Sequence, residues 1–376
     1  MHLSNQTASL NPKQTLNKIL TSKVLFVAIA LIAASLAAIA VPAFARSQRS
    51  AHKPTRHKPT QKHLRDHTQN PSYPSKTKDS ELDAQLALVT IPGTSISLRP
   101  PDGFVLSEQF SGFENRETSS SIVLAELPAA AYPEISATFS SSAEDISTAF
   151  AQQSIILEVE SISSLLVGNT QVPFVEGIQT VGSAKIKKYF ALLEGESTIL
   201  LTFNIIDTAQ TKRETIVETV ESVVISSAPT IQQKIDELPF TVIAADPFQV
   251  LDVLAGSSVV LSINGEPDPT EETPLVIIAS SFSPVQTTNI ASLSTQLLQS
   301  TAGFETSTIT SQSPAPFAGS EGYLMQASLE DKTILQYLTL LPDDFYIRMV
   351  VISPSERLDA IMPAIQTIQN SVTIKE

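Results

Sequence analysis

The sequence predicts an α+β protein of two tandem domains, each an antiparallel sheet packed with two helices, behind a signal or anchor segment and a basic linker. Three observations carry this. The order of features in residues 173–225 recurs in 316–374 at offsets of 143 to 149 residues, too long for a solenoid repeat and right for a domain. Short apolar runs are broken by turns rich in Pro, Gly and Asn, which argues for antiparallel strands with tight connections. Each half closes on a run of helical period introduced by polar residues, Thr211 to Glu214 or Ser353 to Glu356. With 376 residues, 42% of them hydrophobic, there is enough apolar side chain for a core in each domain.

At the amino terminus, Lys13, Lys18 and Lys23 precede an uncharged run that ends Val41-Pro42-Ala43-Phe44-Ala45, followed by Arg46. Small residues at Ala43 and Ala45 satisfy the A-x-A requirement of a signal peptidase, whose cleft takes only short side chains there, so cleavage falls between Ala45 and Arg46. The 22 uncharged residues 24–45 also suffice to span a bilayer, and a retained anchor is the alternative. More basic residues follow the run than precede it, which leaves an inverted anchor as a third arrangement. In the first two, residues beyond 45 lie outside the cytoplasm.

Residues 46–80 change to Lys, Arg, His, Thr, Gln, Ser and Pro, with an echo in His52-Lys53-Pro54-Thr55 and His57-Lys58-Pro59-Thr60. Too few apolar side chains are present to offset chain ordering, so a disordered, extended spacer is expected. Residues 46–78 hold nine Lys or Arg against one Asp, a net of +8, whereas 79–376 hold twelve against 37 acids, a net of −25. The body therefore repels nucleic acid and anionic lipid. The linker suits contact with anionic wall polymer or membrane head groups, and otherwise serves as a solvated spacer. His52, His57, His63 and His67 are five, six and four residues apart, which is no preformed metal site.

Domain 1 is expected over 88–226. Residues 88–99 read as a first strand, with Ile96 and Leu98 alternating against polar neighbours. Pro100-Pro101-Asp102-Gly103 enforces a turn. Further strands are expected at 104–113, 121–127, 156–166, 174–181, 186–193 and 198–206, with helices at 143–153, capped by Ser142, and 210–220. A short helical connector fills 226–238. Domain 2, 238–376, repeats the order: Asp246-Pro247-Phe248 stands 144 residues after Asp102-Gly103-Phe104. Strands are expected at 259–263, 274–282, 305–309, 322–327, 333–341 and 345–352, and helices at 289–299 and 355–368, the last bent or shortened by Pro363.

This pattern, with Arg99-Pro100-Pro101-Asp102-Gly103-Phe104 as its local match, resembles the PsbP-like fold shared by photosystem II extrinsic subunits and LpqN- and DcrB-type bacterial envelope proteins. The resemblance covers 90–226 and, less fully, 238–376, where only Asp246-Pro247-Phe248 is kept. It implies an exported, cofactor-free binding module without shared catalytic residues.

Chemistry is narrowed by absence. There is no Cys, and His2, His52, His57, His63 and His67 are the only histidines, so residues 68–376 hold no His-dependent triad and no thiol nucleophile. No lysine beyond residue 79 has a serine three positions earlier, and neither a Gly-x-Ser-x-Gly elbow nor a phosphate loop occurs. A carboxylate-only hydrolase stays open, since two acids from anywhere in the chain could form its pair. The acidic loop Glu266 to Glu272 lacks the spacing of a calcium loop and reads as a hairpin tip. Asp343 reads as a turn residue, and Tyr189 and Tyr337, at matching places in the copies, as core or edge residues.

The function expected is that of an exported cell-envelope protein with tandem non-enzymatic domains, binding a protein or an envelope polymer, with no cofactor, catalytic residue or metal site assigned. The alternatives are a carboxylate-dependent envelope hydrolase and a small-ligand carrier. Mass spectrometry of the exported protein is expected to return Arg46 as its first residue; a chain that keeps Val24 to Ala45 identifies the run as an anchor.

Overall fold

The computed structural model describes residues 87–375 apart from 154, 183, 207–210, 269, 271, 286 and 288. Ala43, Ala45, Arg46, the histidines and the basic linker lie outside the described residues. Among the described residues, no helix is long and apolar enough to cross a membrane.

Domain 1 opens with β1 (Val89–Thr90) and β2 (Ile96–Leu98), a hairpin rather than the single strand expected over 88–99. The chain reverses because Gly93 takes φ 69° and Thr94 Oγ1 donates to Ile91 O at 2.8 Å. β3 (Val105–Leu106) and β4 (Gly112–Asn115) likewise replace one strand expected over 104–113. The loop between them leaves the sheet to bond with domain 2. β5 (Ser120–Leu127) leads to α1 (Tyr132–Phe139) and α2 (Ala143–Ala151). α2 begins as expected, Asp145 N donating to Ser142 Oγ at 3.1 Å. α1 was not expected, because it has no side-chain cap and is marked only by a first-turn proline and Glu134. Four long strands follow, β6 (Leu157–Val167), β7 (Thr170–Val181), β8 (Ala184–Glu194) and β9 (Thr198–Ile206), then α3 (Arg213–Glu221) and β10 (Val224–Ile225).

The connector forms α4 (Ile231–Asp236), started by a capping box between Thr230 and Gln233. Domain 2 comprises β11 (Phe240–Thr241), β12 (Phe248–Leu254), β13 (Ser258–Ile263), β14 (Leu275–Ser280), α5 (Ile290–Gln299), β15 (Thr308–Pro314), β16 (Gly322–Leu329), β17 (Lys332–Leu340), β18 (Tyr346–Pro354), α6 (Leu358–Ser371) and β19 (Thr373–Ile374). β12 escaped the sequence pattern because a register shift between Val250 and Asp252 spoils its alternation. β15 lies further along than the 305–309 expected. α6 is not shortened by Pro363, which stands early in the helix; the helix continues to Ser371.

Both sheets are fully antiparallel and have the same strand order: β3-β4-β5-β9-β8-β7-β6 in domain 1 and β12-β13-β14-β18-β17-β16-β15 in domain 2. In both, the short strand after the closing helix pairs back to the domain's opening segment, β10 to β2 and β19 to β11. The architecture is duplicated. The finer echoes are not all in register. Tyr189 and Tyr337 hold matching places, paired with Phe203 and Met349. With them superposed, Glu176, which pairs Tyr189, matches Leu324 rather than Glu321. The β6–β7 hairpin turns through Gly168 alone with one neighbour, whereas β15 and β16 are joined by a seven-residue loop holding Phe317. Phe317 reaches Tyr337 from that loop, centroid to centroid 6.1 Å, where Phe174 stacks on Tyr189 from within β7 at 6.0 Å.

Each sheet carries helices on both faces, so its central strands read as continuous apolar runs. On β9, Ile199, Leu201, Phe203 and Ile205 pack toward Ile216 and Val220 of α3. Ile347, Met349 and Val351 of β18 face Ile365 and Ile368 of α6 in the same way. The opposite faces take α1 and α2 through Phe139, Ile146, Phe190 and Leu192, and α5 through Leu293, Leu297 and Leu298. Glu176 and Arg213 clamp α3 to β7, Arg213 Nη2 standing 2.6 Å from Glu176 Oε1.

What remains of these second faces packs together. Phe110, Val123, Ala125 and Leu127 of domain 1 form one cluster with Leu254, Val260, Ile277 and Phe282 of domain 2. The Phe110 and Phe282 rings lie 5.1 Å apart, tilted by 56°. Beside them Ser111 N donates to Ala255 O at 2.7 Å. Gly256 takes φ 62°, and a Cβ there would stand 2.8 Å from Ser111 N and 2.4 Å from its Oγ. The expected consequence of Gly256→Ala is a loss of about 2–3 kcal/mol, combining left-handed backbone cost with the broken interdomain hydrogen bond. Chemical denaturation checks it, and separation of one unfolding transition into two is the accompanying result.

Candidate functional site

The candidate sites are those built at the junction of the domains. The first is a largely buried charge cluster. Glu126 of β5 accepts from Ser95 N at 2.7 Å and Ser95 Oγ at 2.5 Å. Its other oxygen stands 3.8 Å from Lys234 Nζ, which stands 3.4 Å from Asp252 Oδ1. One carboxylate thus comes from each domain and the lysine from α4. Burial pushes the Asp252 carboxyl up, against the pull of Lys234. The space beside the cluster is about 10 Å³, room for one water at most. The cluster's two carboxylates, one from each domain, both stand near Lys234 of the connector. It locks the connector.

The second is an open groove of about 620 Å³ on the same junction. Its walls come from the β3–β4 loop, the end of α4 and residues 238–240, the 341–345 turn and the last residues 374 and 375. Phe110, Leu238 and Phe240 are buried and Phe345 half-buried, while Glu108, Asp236, Glu237 and Asp343 are exposed. Lys375 is the one cation among the lining residues, and its Nζ donates to Asp236 O at 2.7 Å. In the turn Asp343 and Asp344 both take left-handed backbone, φ 63° and 66°, and Val285 N donates to Asp344 O at 2.7 Å. Asp343 is the turn residue the sequence predicts, placed on a groove that local sequence did not reveal.

Other anticipated residues are structural. Tyr189 and Tyr337 belong to the two sheet–helix cores. In the acidic loop, Asp268 accepts from Thr270 N, Thr270 Oγ1 and Thr273 N at 2.8, 2.7 and 2.6 Å. Partial burial opposes its charge, but these hydrogen bonds outweigh it and hold the carboxyl at about 2. It staples its own loop. Among the described residues no group of three His, Asp or Glu could hold a metal ion.

Two buried cations lie on the second faces of the sheets. Lys188 donates to Asn204 Oδ1, whose Nδ2 donates to Ser121 Oγ at 2.8 Å; burial lowers the ammonium to about 7. Arg348 donates from Nη1 to Thr301 Oγ1 at 3.0 Å, below the carboxyl end of α5, and burial lowers it to about 10. Neither residue stood out in the sequence: Arg348 is a lone cation in an apolar strand, and Lys188 follows the exposed Lys185 and Lys187 in β8.

No family model matches the chain, and no curated protein matches it. Several solved structures are similar to parts of it. LpqN of Mycobacterium tuberculosis, described as involved in cell envelope biogenesis, is 16% identical over 36% of this chain and 83% of its own, with a TM-score of 0.28. The cyanobacterial PsbP of Synechocystis sp. PCC 6803 is 11% identical over 36% of this chain and 82% of its own, TM-score 0.26. The immunity protein TplEi of Pseudomonas aeruginosa is 9% identical over 77% of this chain and 99% of its own, TM-score 0.26. TM-scores this low leave all three as partial likenesses of fold.

A lysine neutral when buried binds fewer protons than in the unfolded chain between about pH 7 and its usual 10.5, so stability rises with pH across that window. Lys188→Met is expected to stabilise the protein by about 1–4 kcal/mol at pH 6 and by less at pH 9.5. Urea denaturation of both proteins at the two pH values measures the difference, and a gap independent of pH contradicts the assignment.

Proposed function

We propose that this chain is a non-enzymatic binding protein displayed outside the cytoplasm at the cell envelope, and that the interdomain groove receives a cationic stretch of a partner protein. The groove carries the reading: aromatic and aliphatic side chains form its base, Glu108, Asp236, Glu237 and Asp343 surround it, and elements of both domains are needed to build it. A basic segment with interleaved apolar residues matches that surface in both charge and apolarity. Anionic envelope polymers are disfavoured by the same acids. The basic residues 46–78 suit the opposite task, holding to anionic wall polymer or lipid head groups. The A-x-A sequence before Arg46 supports export.

The test uses the chain from Arg46 onward and a fluorescent peptide alternating Lys and Phe. Anisotropy is expected to show saturable binding that weakens with salt, and at least tenfold weaker binding to Glu108→Lys/Glu237→Lys/Asp343→Lys. A control reversing Glu158, Glu160 and Glu218, exposed acids elsewhere, separates site from net charge. Equal losses in the two triple variants would sink the groove as the site.

A further inference from the structure

The second face of the domain 2 sheet is only partly covered. α5 packs over one end, through Leu293 and Leu297 against Leu338 and Tyr346. At the other end Leu251, Leu275, Leu329 and Ile352 stay half-buried and line a hollow of about 460 Å³. Pairing places Ser262, Leu275 and Ile352 side by side across β13, β14 and β18. Residues 302–304, including the Phe304 ring, wall it on one side, and Gln152 and Gln153, at the end of α2, bring domain 1 to the other. The volume lies within the range of small-molecule sites, and the lining sets these aliphatic side chains among polar and charged ones.

Two polar atoms in this lining have no partner. Ser262 is 2% exposed, yet its Oγ makes no hydrogen bond among the described residues. Gln153 Oε1 is buried and equally unpartnered. Buried polar atoms are normally satisfied, so an exception calls for an occupant. Here two exceptions, one from each domain, fall on one hollow. Gln153 Oε1 can only accept; Ser262 Oγ can donate or accept. An O–H group serves both. Asp268 and Glu330 also line the hollow against the single cation Lys332, and Asp268 is kept ionised by its threonine hydrogen bonds. An anionic head would meet repulsion.

We infer that this hollow binds a neutral amphiphile, an alkyl chain with a hydroxylated head, the alkyl part on Leu251, Leu275, Phe304 and Ile352 and the hydroxyls on Ser262 and Gln153. This is a site separate from the acidic groove and does not depend on it.

Monododecanoylglycerol is the probe, added below its aggregation threshold to the delipidated chain from Arg46 and followed by calorimetry. Saturable binding with one site per chain is expected. Ile352→Trp, which fills the hollow, is expected to reduce affinity at least tenfold, and Ser262→Ala about fivefold; thermal melting of each variant confirms that it folds. Dodecanoate is expected to bind at least tenfold more weakly than the glyceride. Absence of saturable binding, which would leave water as the occupant, overturns the inference, as does binding unchanged in both variants. Equal binding of dodecanoate overturns the neutral-head assignment. Should Ile352→Trp fail to fold, Ser262→Ala and the two-ligand comparison still decide.

Discussion

The apolar contact between the second faces of the two sheets, centred on Phe110 and Phe282, is the constraint on which the rest of the molecule depends. Two domains of one topology could have been joined like beads on the connector. Instead each leaves part of a face without helix cover, and the two uncovered parts exclude water from one another. The backbone approach at Ser111 and Gly256 then fixes the separation, and the Glu126–Lys234–Asp252 cluster holds α4 in the crease. A buried charge group of this kind adds little net stability, but each member leaves an uncompensated charge if displaced. Its effect is to make one domain arrangement much better than its neighbours.

The candidate sites are by-products of that docking. The acidic groove exists only where the β3–β4 loop of domain 1 meets the carboxyl-terminal residues and the 341–345 turn of domain 2. The hollow exists where α2 ends over a sheet that α5 does not fully cover. Duplication followed by divergence accounts for both. Domain 1 keeps α1 and α2 on its second face, whereas domain 2 keeps only α5 there, so the two copies offer unlike surfaces to a common junction.

Much of the fold was legible because it rests on local rules. Ser142 as a cap, the turn at Asp343, the polar opening of α3 and the strands from β6 to β9 all follow from residue type and period. The failures share a cause. β12 is irregular because of its bulge, α1 lacks a capping side chain, and the 104–113 run is split by a hydrogen bond to Ala255, 144 residues after Ser111. The mismatch between Glu176 and Glu321 is of the same kind. Glu176 is one partner of Arg213, while Glu321 ends an exposed loop, and only pairing with β8 or β17 reveals the difference.

By itself the sequence determined the segregation of charge, the absence of His and Cys from residues 68–376, and the presence of two related α+β units, because composition and periodicity are properties of the chain read one stretch at a time. Strand register, the choice of faces that meet, and the grouping of Ser262 with Gln153 or of Glu108 with Asp343 were decided by tertiary structure. Those depend on pairings between residues distant in the chain, and hydrophobic contact is non-directional until packing and backbone hydrogen bonds select one arrangement.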